Sequence, residues 1–406
     1  MLEAGAPSGI GFGERVAPAP AARLAERLRS RNAVMQSFFA REAAPLARAA
    51  REIAERFARG GRLYAFGHGP YATDAAHVSV EFIHPVIVGK RALPGIDASA
   101  APEAFVDALV EADDIAIAFG PPESDLRMLR ALRIACRKGA FTLAWPGEQA
   151  DYAVRSPSDD AHVHQEAFEV LGHTLYESVH VFLEHRREMG DDVGASSFLY
   201  PYLGTDQPDA AAILDDVAAS ILAKARDGER LRERVAAEET ATIAAAVAAI
   251  RGRLDAGGQL LIFGNGGSAT DATDFALDCV LPAPGMPPLR ALSLAAEPAV
   301  LSAIANDVGT ELTFLRQLSA QARPGDVAFA MSTSGGSKNV VAALAEARKR
   351  GLLTVALLGY DGGEIARREL ADFSIVVRSD YVPRIQEAQA AIYHVMRAAL
   401  AEPARA

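Results

Sequence analysis

The sequence predicts an α/β protein made of two consecutive copies of one domain, each a parallel sheet covered by helices on both faces. Three observations carry that expectation. The chain repeats itself through three anchors in the same order, short apolar strands alternate with amphipathic helices in both copies, and Gly-rich turns follow the strands directly.

The first anchor pairs AFGHGPYATDAAH (65–77) with IFGNGGSATDATD (262–274). Seven of the ten residues from Phe66 to Ala75 are identical to those from Phe263 to Ala272. The second pairs Asp114–Phe119 with Asp326–Met331, each followed by an amphipathic stretch that ends at Gly139 or Gly351. The third pairs HQEAFEVLGH (164–173) with IQEAQAAIYH (385–394). Each copy opens with a long helical segment, over about 20–58 and 210–255, followed by a short strand, a Gly-rich turn and a helix. After the polar first residues Asp114, Thr142 and Thr354, the strands Asp114–Phe119, Thr142–Trp145, Leu260–Phe263, Val327–Met331 and Thr354–Leu358 are continuously apolar and alternate with helices, which implies a sheet buried on both faces. The expected division is a disordered 1–18, a first domain over 19–187, a linker over 188–207 and a second domain over 208–402. Gly190, Gly194, Pro201 and Gly204 mark the linker.

With 406 residues, half of them hydrophobic, the chain has material for two cores. A net charge of -11 argues against nucleic acid or an anionic membrane as a partner, so a small anionic ligand needs a local cradle. Cys136 and Cys279 are too few for a disulfide framework and are expected as small core residues in a reducing compartment. No signal peptide and no apolar run of about 18 residues is present, giving the expectation of a soluble cytoplasmic protein.

Strand Leu260–Phe263 runs into Gly264-Asn265-Gly266-Gly267-Ser268, and strand Val327–Met331 into Ser332-Thr333-Ser334-Gly335-Gly336-Ser337, each at the start of a helix. Glycines let the backbone approach a ligand, and free N–H groups with the positive end of the helix dipole attract an anion. The four hydroxyls of the second turn make phosphate the expected ligand. The pattern is not that of a nucleotide-triphosphate loop.

GNGGSATDA, the pair Asn306-Asp307, STSGGSKNV, the turn Asp361-Gly362-Gly363 and RIQEAQAAIYH together resemble the sedoheptulose-7-phosphate (phosphoheptose) isomerases, over about 210–400. The resemblance implies two tandem sugar-phosphate-isomerase (SIS) domains, each a three-layer αβα sandwich around a five-stranded parallel sheet. It implies a small sugar phosphate as substrate, held by Asn265, Gly266, Gly267, Ser268, Asn306, Asp307, Ser332, Thr333, Ser334 and Ser337. In that family a His and a Glu four residues on, with a Gln and a His eight residues on, serve in catalysis and in some members bind zinc. The matching positions in the second copy are Asp274, Asp278, Gln386 and His394, so its His and Glu have become Asp. In the first copy they are His77, Glu81, Gln165 and His173, which keeps the whole quartet and makes these four the expected zinc ligands.

Spacings of four and eight residues suggest that each pair faces one cavity. The first copy, however, reads Gly120-Pro121-Pro122-Glu123-Ser124-Asp125 where the second has STSGGS, an acidic loop that would repel phosphate. The expectation is division of labour: the second copy holds phosphate while a carboxylate, Glu81 or Asp278, acts as base and His173 or His394 as acid, with Gln386 beside them. A homodimer would give a four-SIS-domain assembly. Two other readings stay open, a non-catalytic sugar-phosphate-binding or scaffolding SIS protein and aminosugar chemistry. Trp145 is expected in the core, His68, His84, His162, His164, His180 and His185 on the surface or in local networks, and Arg226–Glu239 as a solvated helix face.

Overall fold

A computed structural model of the chain describes residues 19–85, 90–123, 125–188 and 210–402. The first unit contains α1 (Pro20–Ala58), β1 (Leu63–Phe66), α2 (Tyr71–Ile83), β2 (Gly95–Asp97), α3 (Pro102–Leu109), β3 (Ile115–Phe119), α4 (Leu126–Arg137), β4 (Phe141–Trp145), β5 (Tyr152–Ala153) and α5 (Ala161–Glu188). The second contains α6 (Ala210–Glu238), α7 (Thr240–Asp255), β6 (Leu260–Phe263), α8 (Gly267–Val280), β7 (Ala291–Ser293), α9 (Pro298–Asp307), α10 (Thr313–Gln321), β8 (Val327–Ser332), α11 (Lys338–Lys349), β9 (Leu353–Gly359), α12 (Gly363–Arg367), β10 (Phe373–Val377) and α13 (Val382–Ala401). The disorder expected over 1–18 and all of the expected linker but its first residue fall outside the described residues.

Each unit is a five-stranded sheet of the same order, β2-β1-β3-β4-β5 and β7-β6-β8-β9-β10, with every pairing parallel. Side chains alternate between two apolar layers. Leu63, Ala65, Ile115 and Ile117 face α1, α2 and α5, whereas Tyr64, Phe66, Ala116 and Ala118 face α3 and α4. The second sheet divides likewise between α7, α8 and α13 on one face and α10 and α11 on the other. Both units are thus three-layer αβα sandwiches. Strand order reverses between β6 and β8, and the turns 264–266 and 333–337 leave the carboxyl ends of those two strands, where open α/β sheets bind ligands.

The helices do not respect the division between the sheets. Leu24, Ala25 and Leu28 at the start of α1 are buried in the second unit's core, and Val217 and Ile221 at the start of α6 in the first unit's. Helix α2 packs on α8, and α5 on α13.

Three sequence expectations need correction here. The helical segment 210–255 breaks at Glu239, whose carboxylate is taken by Arg378 at 2.7 Å. The stretch Arg226–Glu239 is not a solvated face: Leu231, Arg232, Val235 and Ala236 are buried, and Arg232 Nε donates to Asn32 Oδ1 of α1 at 2.7 Å. Cys136 is exposed, while Cys279 is buried as expected. Trp145 is fully buried and stacks on Phe168. Among the described residues no helix is long and apolar enough to cross a membrane.

Candidate active site between the two units

The glycines of the second unit's first turn bring its backbone close to side chains. Gly266 has a φ of 57°, in the left-handed region that favours glycine, and α8 starts at the next residue. A Cβ on Gly267 would lie 2.0 Å from Gln386 Nε2 and 3.0 Å from His77 Nε2 of the first unit. In the second turn Ser332 Oγ accepts from Gly335 N and Ser334 Oγ from Gly336 N, which shape the loop, while Ser337 heads α11 without capping it. A reciprocal pair of hydrogen bonds between Asn265 and Asn339 ties the two turns together. Ser268 is buried and Thr333 half-buried. Asn306 and Asp307 end α9 on the surface, bonded to each other.

The first unit's equivalent turn is closed. Asp125 caps α4 by accepting from Arg127 N at 2.8 Å, so a carboxylate already occupies the helix start that a phosphate would need.

Around His77 the two units meet. His77 Nε2 lies 3.1 Å from His173 Nε2, and its Nδ1 lies 3.0 Å from Thr270 Oγ1 and 3.4 Å from Asp271 Oδ1 of α8. His173 Nδ1 is 3.1 Å from Glu387 Oε1 of α13, and Glu81 Oε1 is 4.0 Å from His77. Burial, then the charge on His173, lowers His77 to about 4. Burial works against protonation of His173 too, but the hydrogen bond and charge of Glu387, with Glu81 and Glu169, outweigh it and raise it to about 9. Burial pushes the carboxyls of Glu81 and Glu169 up. A cavity of about 10 Å³ lies against His77, Glu81, Glu169 and His173, room for about one water.

The donor set suits a cation. His77, Glu169 and His173 offer ligand atoms all within 4.8 Å of one another. Four buried oxygens nearby, Glu81 Oε2, Glu169 Oε1, Asp271 Oδ2 and Gln386 Oε1, have no hydrogen-bond partner. Each histidine also has its second ring nitrogen held by a hydroxyl or carboxylate, the outer-shell support that metal-bound imidazoles need. Glu169 was missed in the sequence, although it stands four residues before His173 on the same helix face.

Gln165 does not join this group, which corrects its expected place as a zinc ligand. An α-helix turns about 100° per residue, so eight residues leave side chains roughly 80° apart rather than aligned. Gln165 therefore reaches the second centre, donating to Asp274 Oδ1 at 2.8 Å, and Gln386 Nε2 lies against Gly267 on the side that His77 Nε2 also faces. The two glutamines are exchanged between the units.

The second centre is a buried ionic set, in which Asp274, Asp278 and His394 also offer ligand atoms all within 4.8 Å of one another. His394 lies 3.3 Å from Asp274 Oδ2, 3.4 Å from Asp278 Oδ2 and, through Nδ1, 3.1 Å from Glu166 Oε1. Thr73, Gln165 and Tyr393 donate to Asp274, and Arg31 holds Glu166. His162 is buried, stacks on His394 at 4.6 Å between centroids and sits 3.3 Å from Asp278 Oδ2. It belongs to this centre, as its spacing in the sequence did not indicate. Burial opposes charge on His394, but the hydrogen bonds of Asp274, Asp278 and Glu166 raise it well above the ordinary range.

Residues 225–359 match the SIS domain. The chain is 41% identical over 180 residues to the phosphoheptose isomerase of Geobacter metallireducens, covering 43% of this chain and 93% of that protein. It is 43% identical over 171 residues to the phosphoheptose isomerase of Chlorobium phaeobacteroides, covering 41% and 75%. The C-terminal domain of glucosamine-fructose-6-phosphate aminotransferase from Francisella tularensis shares the fold over 93% of this chain and 95% of its own, with a TM-score of 0.56 at 10% identity. With a SIS domain in the second unit and this degree of identity over nearly the whole of such a relative, the chain belongs to the phosphoheptose isomerase family of SIS-domain proteins.

Proposed function

We propose that the chain isomerises sedoheptulose 7-phosphate to an aldose heptose 7-phosphate at a single composite site, with phosphate held by the second unit and acid/base groups supplied by the first. The observation that carries this reading is how near His77 of the other unit stands to Gly267, where the phosphate-cradling helix begins: a Cβ at that glycine would lie 3.0 Å from His77 Nε2. Ser268, Thr333, Ser334, Ser337 and the N–H groups at the starts of α8 and α11 bind the phosphate. Glu81 takes the proton from C1 beside the ketose carbonyl and returns it to C2, and the His173 imidazolium donates to O2 and regains a proton from O1. Glu387 keeps His173 protonated and aimed. A zinc ion held by His77, Glu169 and His173 would require the His173 imidazole to give up that proton, and would then supply the stabilisation of charge on the substrate oxygens in place of the imidazolium. Two free cysteines suit the cytoplasm, and a dimer of such chains would bring four SIS domains together.

The test is conversion of sedoheptulose 7-phosphate by purified protein with and without added zinc, followed by NMR of the anomeric protons. Turnover is expected. Binding of the sugar phosphate without turnover under either condition would replace this reading with a non-catalytic sugar-phosphate-binding protein.

A Gly267→Ala variant probes the junction itself. Its methyl group must push Gln386 aside and crowd His77, displacements on the order of 1 Å that can cost about 100-fold in rate. The expected result is that loss in kcat with little change in melting temperature; unchanged kcat would separate the cradle from the chemistry.

A further inference from the structure

We propose a second anion site, separate from the cradle, that binds a phosphate monoester on the far side of the α13 start and communicates with His173. An open cavity of about 730 Å³ lies between α6, the carboxyl ends of β9 and β10, and the first turn of α13. Four arginines line it, Arg230, Arg234, Arg378 and Arg384, against the carboxylates of Asp227, Asp361 and Asp380. Asp227 is taken by Arg230, Asp361 stands 3.8 Å from Arg367, and Arg378 is spent on Glu239.

Two guanidiniums remain for a ligand. Arg234 donates to the backbone oxygen of Arg378 at 2.8 Å and makes no ion pair among the described residues. Arg384 is 4% exposed. Its Nη1 donates to Glu387 Oε2, but its Nη2 has no hydrogen-bond partner, Glu177 Oε1 being 3.8 Å away. A buried guanidinium edge that has an ion pair with Glu177 at 3.8 Å but no hydrogen bond, beside a large cavity, is completed by an acceptor from outside.

Two forked donors, Arg234 of α6 and Arg384 in the first turn of the 20-residue α13, match the several acceptor oxygens of a phosphate dianion better than one carboxylate. Ser379 adds a hydroxyl, and Tyr360 a ring for the body of the ester. The volume is that of a metabolite site.

The site has a path to the reaction centre. Arg384 holds Glu387, and Glu387 holds His173 Nδ1. A phosphate on Nη2 competes with Glu387 for the same guanidinium, so occupancy changes how firmly His173 is oriented.

Titration calorimetry tests the binding without reference to turnover, using a hexose 6-phosphate, a nucleoside 5′-monophosphate and inorganic phosphate. Wild type is expected to bind an ester at two sites. Ser334→Glu, which puts a carboxylate in the exposed part of the cradle, should keep one. Adding Arg234→Glu to that variant should weaken the remaining site at least tenfold, with circular dichroism confirming the fold. A preference for either ester supports the proposal and identifies the body that Tyr360 accepts. Loss of all ester binding in Ser334→Glu alone, unchanged binding after Arg234→Glu, or inorganic phosphate binding as tightly as both esters would overturn it.

Discussion

Replacing Glu81 with Gln is expected to lower kcat on sedoheptulose 7-phosphate by roughly 10²–10⁴-fold, the range that a positioned acid or base contributes. The amide keeps the shape of the side chain and its packing against His77 but cannot take a proton. Phosphate affinity should hold, because the cradle belongs to the other unit. Asp278→Asn is the informative partner. Asp278 lies in the second centre with His394 and His162, where no cradle is within reach of it by any hydrogen bond among the described residues. Assayed well below its melting temperature, Asp278→Asn should stay within about threefold of wild type, a change of less than 1 kcal/mol in barrier. The reverse pattern, a silent Glu81→Gln and an inactive Asp278→Asn, would move the chemistry into the second unit and sink the composite site.

The second large effect is on stability. Asp278→Ala leaves His394 and His162 buried without one of their carboxylates, and removing one partner of a buried ion pair costs about 3–5 kcal/mol. The pH dependence follows from depressed carboxylates. Burial alone would raise Asp278, but the hydrogen bonds of His162 and His394 and the charge on His394 hold it well below the ordinary value of 3.8. Glu166 is likewise opposed by burial and brought down to about 2 by Arg31 and His394. A carboxylate depressed on folding adds stability at any pH above its unfolded value, and that stability is lost as pH falls toward the folded one. For this centre the window runs from about pH 4.5 down to 2. Urea unfolding at pH 7, 4 and 3 should therefore show the gap between wild type and Asp278→Ala narrowing below pH 4. A gap that stays constant would mean that the centre gains nothing from its charges.

These expectations separate two centres that the sequence presents as equivalents. Repeat anchors and apolar strand runs determined the architecture, because a strand buried on both faces leaves a continuous hydrophobic signature and a duplicated unit must fold alike. The placing of the Gly- and hydroxyl-rich turns at the ends of neighbouring strands was legible too, since residues of those types between a strand and a helix state a local requirement that needs no partner. The exchange of Gln165 and Gln386 was not. Its cause is the angular offset of eight helical residues combined with the packing of α5 on α13 and α2 on α8, neither of which a single-unit reading contains. Glu387, Glu166 and His162 were hidden for the same reason: each is an ordinary helical residue until a helix from the other unit supplies the group it faces.

By itself the sequence determined two SIS sandwiches, one pair of Gly- and hydroxyl-rich turns that only the second copy carries, and a polar quartet that only the first copy keeps. Only the tertiary structure decided which quartet members stand beside the cradle, because that depends on how two helical layers rotate against each other across an interface that the order of residues along one chain does not encode.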